Sequence, residues 1–223
     1  HLERNKARFY NFGFSIMFEP AVYDAKFKYT GIKHYVNFPL PQPLYERTSR
    51  TYPTYNTSIP DQFRIDQFIK EFDQKWMQGK DTMPDLITVI IPNDHGAGDR
   101  PDDGYPFRES YMADNDLAVG RIVEYLSHTP YWKNMVIVIT EDDAQNGVDH
   151  IDAHRSVLMV ISPWVKRDYV SHTHYSFGSL FKSYWNILGL PYLNQYDAGA
   201  SDLSDFFSDM PDFKPYNALP VDI

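Results

Sequence analysis

One sixteen-residue stretch carries much of the chemistry available to this chain. Thr140-Glu-Asp-Asp-Ala-Gln-Asn-Gly-Val-Asp-His-Ile-Asp-Ala-His-Arg155 holds five carboxylates, two histidines and an arginine. Carboxylates this close repel one another, and a divalent cation is the usual counter-charge. Its candidate ligands are Glu141, Asp142, Asp143, Asp149, His150, Asp152 and His154. A second group, Asn93, Asp94, His95 and Asp99, lies in the polar stretch Pro92-Asn-Asp-His-Gly-Ala-Gly-Asp-Arg-Pro-Asp-Asp-Gly104. Oxygen donors mixed with imidazole suit Zn, Mn, Fe, Mg or Ca rather than soft metals. A divalent ion in such a site polarises a phosphoryl or sulfuryl oxygen and lowers the pKa of a bound nucleophile.

Each group also has a plainer reading. Asn-Asp followed by Gly-x-Gly is ordinary turn chemistry. Asp142-Asp143 taken alone is a solvated acidic turn. Directly behind an apolar run it favours ligation, because a buried carboxylate needs a partner. His150 and His154 sit four apart, a spacing that means little in a segment that reads as loop. Arg155 either binds substrate or pairs with a neighbouring aspartate. His172 and His174 precede a helix and read as capping or surface residues. Asp114 and Asp116 fall within a helix and read as solvated or structural.

Stiff elements must hold these groups. Residues 135–139 and 156–161 flank the acidic stretch as apolar, β-branched runs and read as buried strands. Residues 86–91 read as a third, ending just before Asn93. Loops beyond the carboxyl ends of strands are where α/β sheets present ligands, so the two groups are expected to converge on one cleft. Residues 8–18 read as a strand with Gly13 at a bend. A helix is expected over 61–78, with Ile65, Phe68, Ile69, Phe72 and Trp76 on one face, Asp61 as N-cap and Gly79 closing it. Another is expected over 107–127, with Met112, Val119, Ile122, Val123 and Leu126 inward and Pro130 beyond its end. A third is expected over 176–188, with Phe177, Leu180, Phe181, Tyr184 and Leu188 on one face. Residues 35–60, rich in Pro, Tyr, Thr and Ser, read as an irregular insertion that acts as a lid or substrate wall. The alternation of strands and helices predicts α/β with a mainly parallel sheet.

The whole chain sets further bounds. With 223 residues it is expected to form a single domain. The net charge of -9, with Lys and Arg scattered, argues against nucleic acid as a partner. There is no cysteine, which removes thiolate ligands, cysteine nucleophiles and disulfides together. Aromatic residues reach 16% and read first as core and loop packing, with a carbohydrate or peptide groove as the alternative. The apolar runs are too short for a transmembrane helix. The opening His1-Leu-Glu-Arg-Asn-Lys6 lacks the apolar region of a signal peptide, so the chain is expected to be cytosolic or a mature or truncated form.

Three segments together resemble a known family. Asn93-Asp-His-Gly-Ala-Gly98, Ala113-Asp-Asn-Asp-Leu-Ala-Val-Gly-Arg-Ile-Val123 and the stretch from Thr140 to Arg155 resemble the phosphoesterase family of bacterial phospholipase C and acid phosphatase, within the alkaline phosphatase superfamily. Ile187-Leu-Gly-Leu-Pro191 with Gln195-Tyr-Asp-Ala198 resembles its closing helix and loop. The likeness is strongest to the branch often fused behind a β-propeller in bacterial envelope proteins. It implies an alkaline phosphatase-like α/β/α sandwich and one or two divalent metals. It also implies a Ser or Thr nucleophile that is phosphorylated and then hydrolysed. On the family's chain order, Asp94 and His95 resemble the central ligand group, Asp142 and Asp143 the paired ligands, and His154 the late histidine. His150 resembles a transition-state or substrate contact. The departures are that Asp94 and His95 are adjacent rather than three apart, and that the early acid and the nucleophile have no counterpart in this chain. The chain is therefore expected to be the C-terminal part of a longer enzyme, incomplete at its N-terminus and inactive alone. The implied substrate is a small-molecule or lipid phosphate ester, and the implied location periplasmic, secreted or envelope-associated.

Two other readings remain open. One is a catalytically inactive binding or structural module of an envelope protein, with an acidic loop for Ca or for no ion. The other keeps the fold and changes the ester to a sulfate or phosphonate. A glycosidase carboxylate pair does not call for clustered histidines.

Overall fold

Phe9–Phe12 forms strand β1 and Leu86–Val89 forms β2, both built from the aromatic and β-branched residues that suit a pleated surface. They pair in parallel, with Asn11 opposite Thr88. The Asn11 side chain locks this register. Its Oδ1 accepts from Thr88 Oγ1 at 2.8 Å and its Nδ2 donates to Thr48 Oγ1 at 3.3 Å. Gly13 then turns the chain at φ +77°, where a Cβ would meet Ile90 Cγ2 at 3.1 Å. The bend expected at Gly13 is therefore present, and it follows β1 directly.

The computed structural model describes residues 1–14, 26, 40–142 and 155–221. The chain divides into two compact units, one of residues 1–125 with the tail from Asn217, the other of residues 126–216.

The first unit carries helices α1 (Gln42–Glu46), α2 (Asp61–Phe72) and most of α3 (Glu109–Ser127). Its core is aromatic. Phe12 takes the rings of Tyr52 and Phe68 edge-on at 5.4 and 4.8 Å, and Phe72 meets Trp76 at 4.9 Å. Each such side chain, once fully buried, contributes about 2–3 kcal/mol. Most of the face expected of the 61–78 helix does turn inward, with Ile65, Phe68, Phe72 and Trp76 buried, although its last turn, Asp73–Met77, is wound as a π-turn. Arg64 is buried among them, which no apolar pattern could foretell. On α3, Ile122, Val123 and Leu126 are buried as expected, whereas Met112 is exposed.

In the second unit β3 (Ile137–Thr140) and β4 (Leu158–Ile161) pair antiparallel, with Thr140 opposite Leu158. Helix α4 (Phe177–Leu188) starts at a Ser176–Ser179 capping box and stops at Gly189, which is left-handed. Its buried side differs from the expected stripe. Phe177 and Phe181 are exposed, and Gly178, Ser179, Leu180, Ser183 and Trp185 face inward. The reason is close approach to α5 (Gln195–Ala198) and the segment after it. A Cβ at Gly178 would lie 2.8 Å from Tyr196 O, Ser183 Oγ receives Leu203 N–H at 2.9 Å, and Trp185 Nε1 donates to Asp197 at 2.7 Å. Small residues allow that contact and a phenylalanine stripe would not. The architecture is mixed α/β with a small parallel sheet, the class the sequence implied.

Candidate functional site

Beyond β2 the chain forms a single 3-10 turn, Pro92–His95. Pro92 fits its first position because the ring presets φ and the missing N–H is not needed there. Asn93 is fully buried, Asp94 half-buried and His95 exposed. Gly96 ends the turn at φ +67°, ψ 170°, a region that is essentially glycine's alone. A Cβ there would also come within 3.0 Å of Arg108 Nε.

A buried polar network anchors this turn from behind. Asn93 N donates to Asp61 Oδ2 at 3.0 Å, and Asn93 Nδ2 donates to Asp114 Oδ2 at 2.7 Å. Tyr105 Oη also donates to Asp114 Oδ2, at 3.0 Å. Asn115 Nδ2 donates to Ile91 O at 2.8 Å and to Asp61 Oδ2 at 3.0 Å. Asp61 was expected to cap α2, but it is the first residue of that helix and its carboxylate turns away to Arg64, Asn93 and Asn115. Asp114 supplies the cap instead, accepting from Asp61 N at 2.7 Å and Gln62 N at 3.3 Å. Burial pushes the Asp61 carboxyl up to about 6, against the lowering pull of Arg64, Asn115 and the Asn93 N–H.

Arg64 extends the network into the proline- and tyrosine-rich segment. Its guanidinium donates to the carbonyls of Pro53, Thr54, Asn56 and Ile59, and pairs with Asp61 at 2.9 Å. One fully buried cation thus fixes the path of residues 53–59. That path carries Tyr55 to the turn, where its ring meets the His95 ring edge-on at 5.6 Å. Partial burial and then the Asp94 carboxylate push the Tyr55 hydroxyl above its ordinary pKa. The segment is not wholly irregular, since α1 lies within it.

In the second unit the acidic stretch leaves β3 and returns at β4. Because those strands pair antiparallel, Glu141-Asp142 and Arg155-Ser156 emerge at one end of the pair. The Ser156 hydroxyl donates to Glu141 O at 3.3 Å, pinching the two roots. Asp142 and Arg155 are both exposed. Asp143, His150 and His154, with Asp149 and Asp152, lie outside the described residues.

Of the residues singled out in the sequence, Asp94 and His95 stand together on one turn, and Asp142 and Arg155 at one strand end. Asn93, grouped with them as a possible ligand, is fully buried: its Nδ2 is committed to Asp114, Ile59 O and Tyr105 Oη, while its Oδ1 has no hydrogen-bond partner among the described residues. Asp99 is exposed on the loop that follows, and His172 and His174 are exposed ahead of α4. Asp114 has the structural role expected of it. Among the described residues no three His, Asp or Glu side chains are grouped to hold a metal ion. The described donors have the right chemistry, since Asp94, His95 and Asp142 offer the oxygen and imidazole that a divalent cation takes. Sequence reasoning missed Arg64, Asn115 and Tyr55. Only a charged residue on an otherwise apolar helix face hinted at the first.

A mixed α/β frame with a carboxylate–imidazole turn beyond a parallel strand presents polar side chains where α/β enzymes hold their ligands. The chain belongs to the Phosphoesterase family, whose model matches residues 15–191. No curated protein matches the chain. Among the described residues no helix is long and apolar enough to cross a membrane.

Proposed function

We propose that this chain carries the metal-binding part of a phosphoric ester hydrolase. Asp94, His95, Asp142, Asp143 and His154 hold one or two divalent cations, His150 contacts the phosphoryl group in transfer, and Arg155 binds its charge. The bound cation supplies electrostatic stabilisation of the phosphoryl oxygens. The chain's own residues hold and orient. The Asp94 carboxylate and His95 imidazole are delivered by a turn fixed on β2. Tyr55 gives that turn an aromatic flank, so that residues 53–59 act as a substrate wall. The reaction passes through a phosphorylated Ser or Thr, as the motif resemblance implies. The substrate is a small-molecule or lipid phosphate ester. An envelope location and a fused β-propeller complete the reading and are carried by the motif resemblance alone.

The observation that supports this most is the anchoring of the Asp94–His95 turn. A solvated loop turn has no need of a buried carboxylate, a half-buried one, a buried arginine and two asparagine side chains behind it. The test is hydrolysis of a chromogenic phosphate ester by the full-length protein with Mn or Zn. Asp94→Asn and Asp142→Asn are each expected to lower turnover by about 100-fold or more, and chelation to abolish it. Full activity in chelator, or in both variants, refutes the metal reading. A preference for the matching sulfate ester moves the assignment to a sulfatase.

A further inference from the structure

The contacts behind the Asp94–His95 turn are more directional than joining two helices requires. Asp114 and Asn115, adjacent on α3, hold the turn on both sides of Pro92. Asp114 takes the Asn93 amide at 2.7 Å, and Asn115 donates to Ile91 O at 2.8 Å. Asp61 takes the Asn93 backbone N–H. The Asn93 amide can be oriented in one way only, because Nδ2 faces the Asp114 carboxylate and the Ile59 carbonyl, and both only accept. Burying the Asp61 carboxylate and half-burying that of Asp114 is costly, and apolar residues of similar volume would join α2 to α3 at least as well. Apolar contact has no direction, however, whereas a hydrogen bond does. What the network adds is a fixed orientation for the residues that follow Asn93. Ligands and catalytic groups need that, since small misplacements are expensive.

We propose that Asp114 and Asn93 are positioning residues that hold the Asp94 carboxylate and His95 imidazole in the orientation that binds a divalent cation. The proposal rests on the reading of Asp94 and His95 as metal ligands. It assigns the Ala113–Val123 motif a role in the site through the Asp114 contact to Asn93.

The experiment titrates Mn(II) calorimetrically into the full-length protein and follows thermal unfolding of each variant in parallel. Asp114→Asn and Asn93→Ala are expected to weaken Mn binding by about tenfold or more, as residues that orient metal ligands do. Ile122→Ala, in the apolar core on the same helix, controls for lost stability and is expected to leave Mn affinity within about twofold. Tyr105→Phe removes one hydroxyl from Asp114 and is expected to weaken binding about threefold, which keeps the test open if Asp114→Asn does not fold. If Asp94→Asn loses Mn while Asp114→Asn and Tyr105→Phe keep it, or if Ile122→Ala weakens binding as much as they do, the positioning role falls and the ligand reading stands. If Asp94→Asn binds Mn as the wild type does, or the wild type binds none, the ligand reading falls and takes the proposal with it.

Discussion

The carboxylate of Asp114 on α3 accepts the backbone N–H of Asp61, the first residue of α2, at 2.7 Å. A helix whose own first carboxylate is spent elsewhere is thus capped by a residue 53 positions away. The same Asp114 oxygen receives the Asn93 amide, so capping α2 and anchoring the candidate metal turn are one interaction.

Replacing Asp114 with alanine therefore removes a cap, takes the acceptor from the buried Tyr105 hydroxyl and leaves the Asn93 amide only its longer contacts to Ile59 O and Tyr105 Oη at 3.3 Å. A lost cap costs about 1 kcal/mol and an unpaired buried donor about 1–3 kcal/mol. Urea unfolding of Asp114→Ala is expected to show a loss of about 2–4 kcal/mol. A loss below about 1 kcal/mol would mean that α2 finds another cap.

Arg64→Met leaves the buried Asp61 charge without its partner and frees the carbonyls of Pro53, Thr54, Asn56 and Ile59. The expected cost is about 3–5 kcal/mol. Arg64→Lys is expected to recover little of it, because one ammonium cannot reach acceptors spread around a planar fork. Chemical denaturation of the two variants checks both statements, and near-complete recovery by lysine would overturn the second.

The raised pKa of Asp61 fixes the sign of a pH effect. Folded, the carboxyl titrates at about 6, where burial has pushed it, and unfolded near its ordinary value of 3.8. Between these values the folded chain binds a proton that the unfolded chain releases. The stability from this group is fully present below the unfolded value and is lost as pH rises through about 6. Unfolding free energies of wild type and Asp61→Asn, compared at pH 7 and pH 5, are expected to diverge in the wild type's favour by roughly 1 kcal/mol on acidification. A constant difference would place the Asp61 pKa at its ordinary value.

Gly96→Ala puts a Cβ where φ is +67° and Arg108 Nε stands 3.0 Å away. Backbone strain of this kind costs about 1–3 kcal/mol. The turn can relieve it by shifting, so hydrolysis is expected to fall more than stability does. Assaying the variant beside its unfolding curve separates the two, and unchanged hydrolysis would show that the turn tolerates the shift.

Some of the site is legible in the chain and some is not, and single residues show why. Asp94 and His95 stand out because a polar, glycine-containing run breaks off a β-branched strand. Asn93 stands beside them in the same run, and its burial cannot be read from its neighbours. The same limit applies to Phe177 and Phe181. Their helical spacing predicts an inward stripe, yet α4 buries its small residues because α5 approaches at Gly178.

The sequence by itself determined the strands, the helices, the two ligand-rich groups and the family, since these depend on periodicity, turn chemistry and local motif. Only the tertiary structure decided that Asp61 gives up its helix to hold Asn93, that Asp114 takes over the cap, and that Arg64 turns inward to fix residues 53–59 beside His95. Each of these is a choice of hydrogen-bond partner for a buried polar group. The group must find a partner wherever the fold brings one, and nothing local in the chain names it.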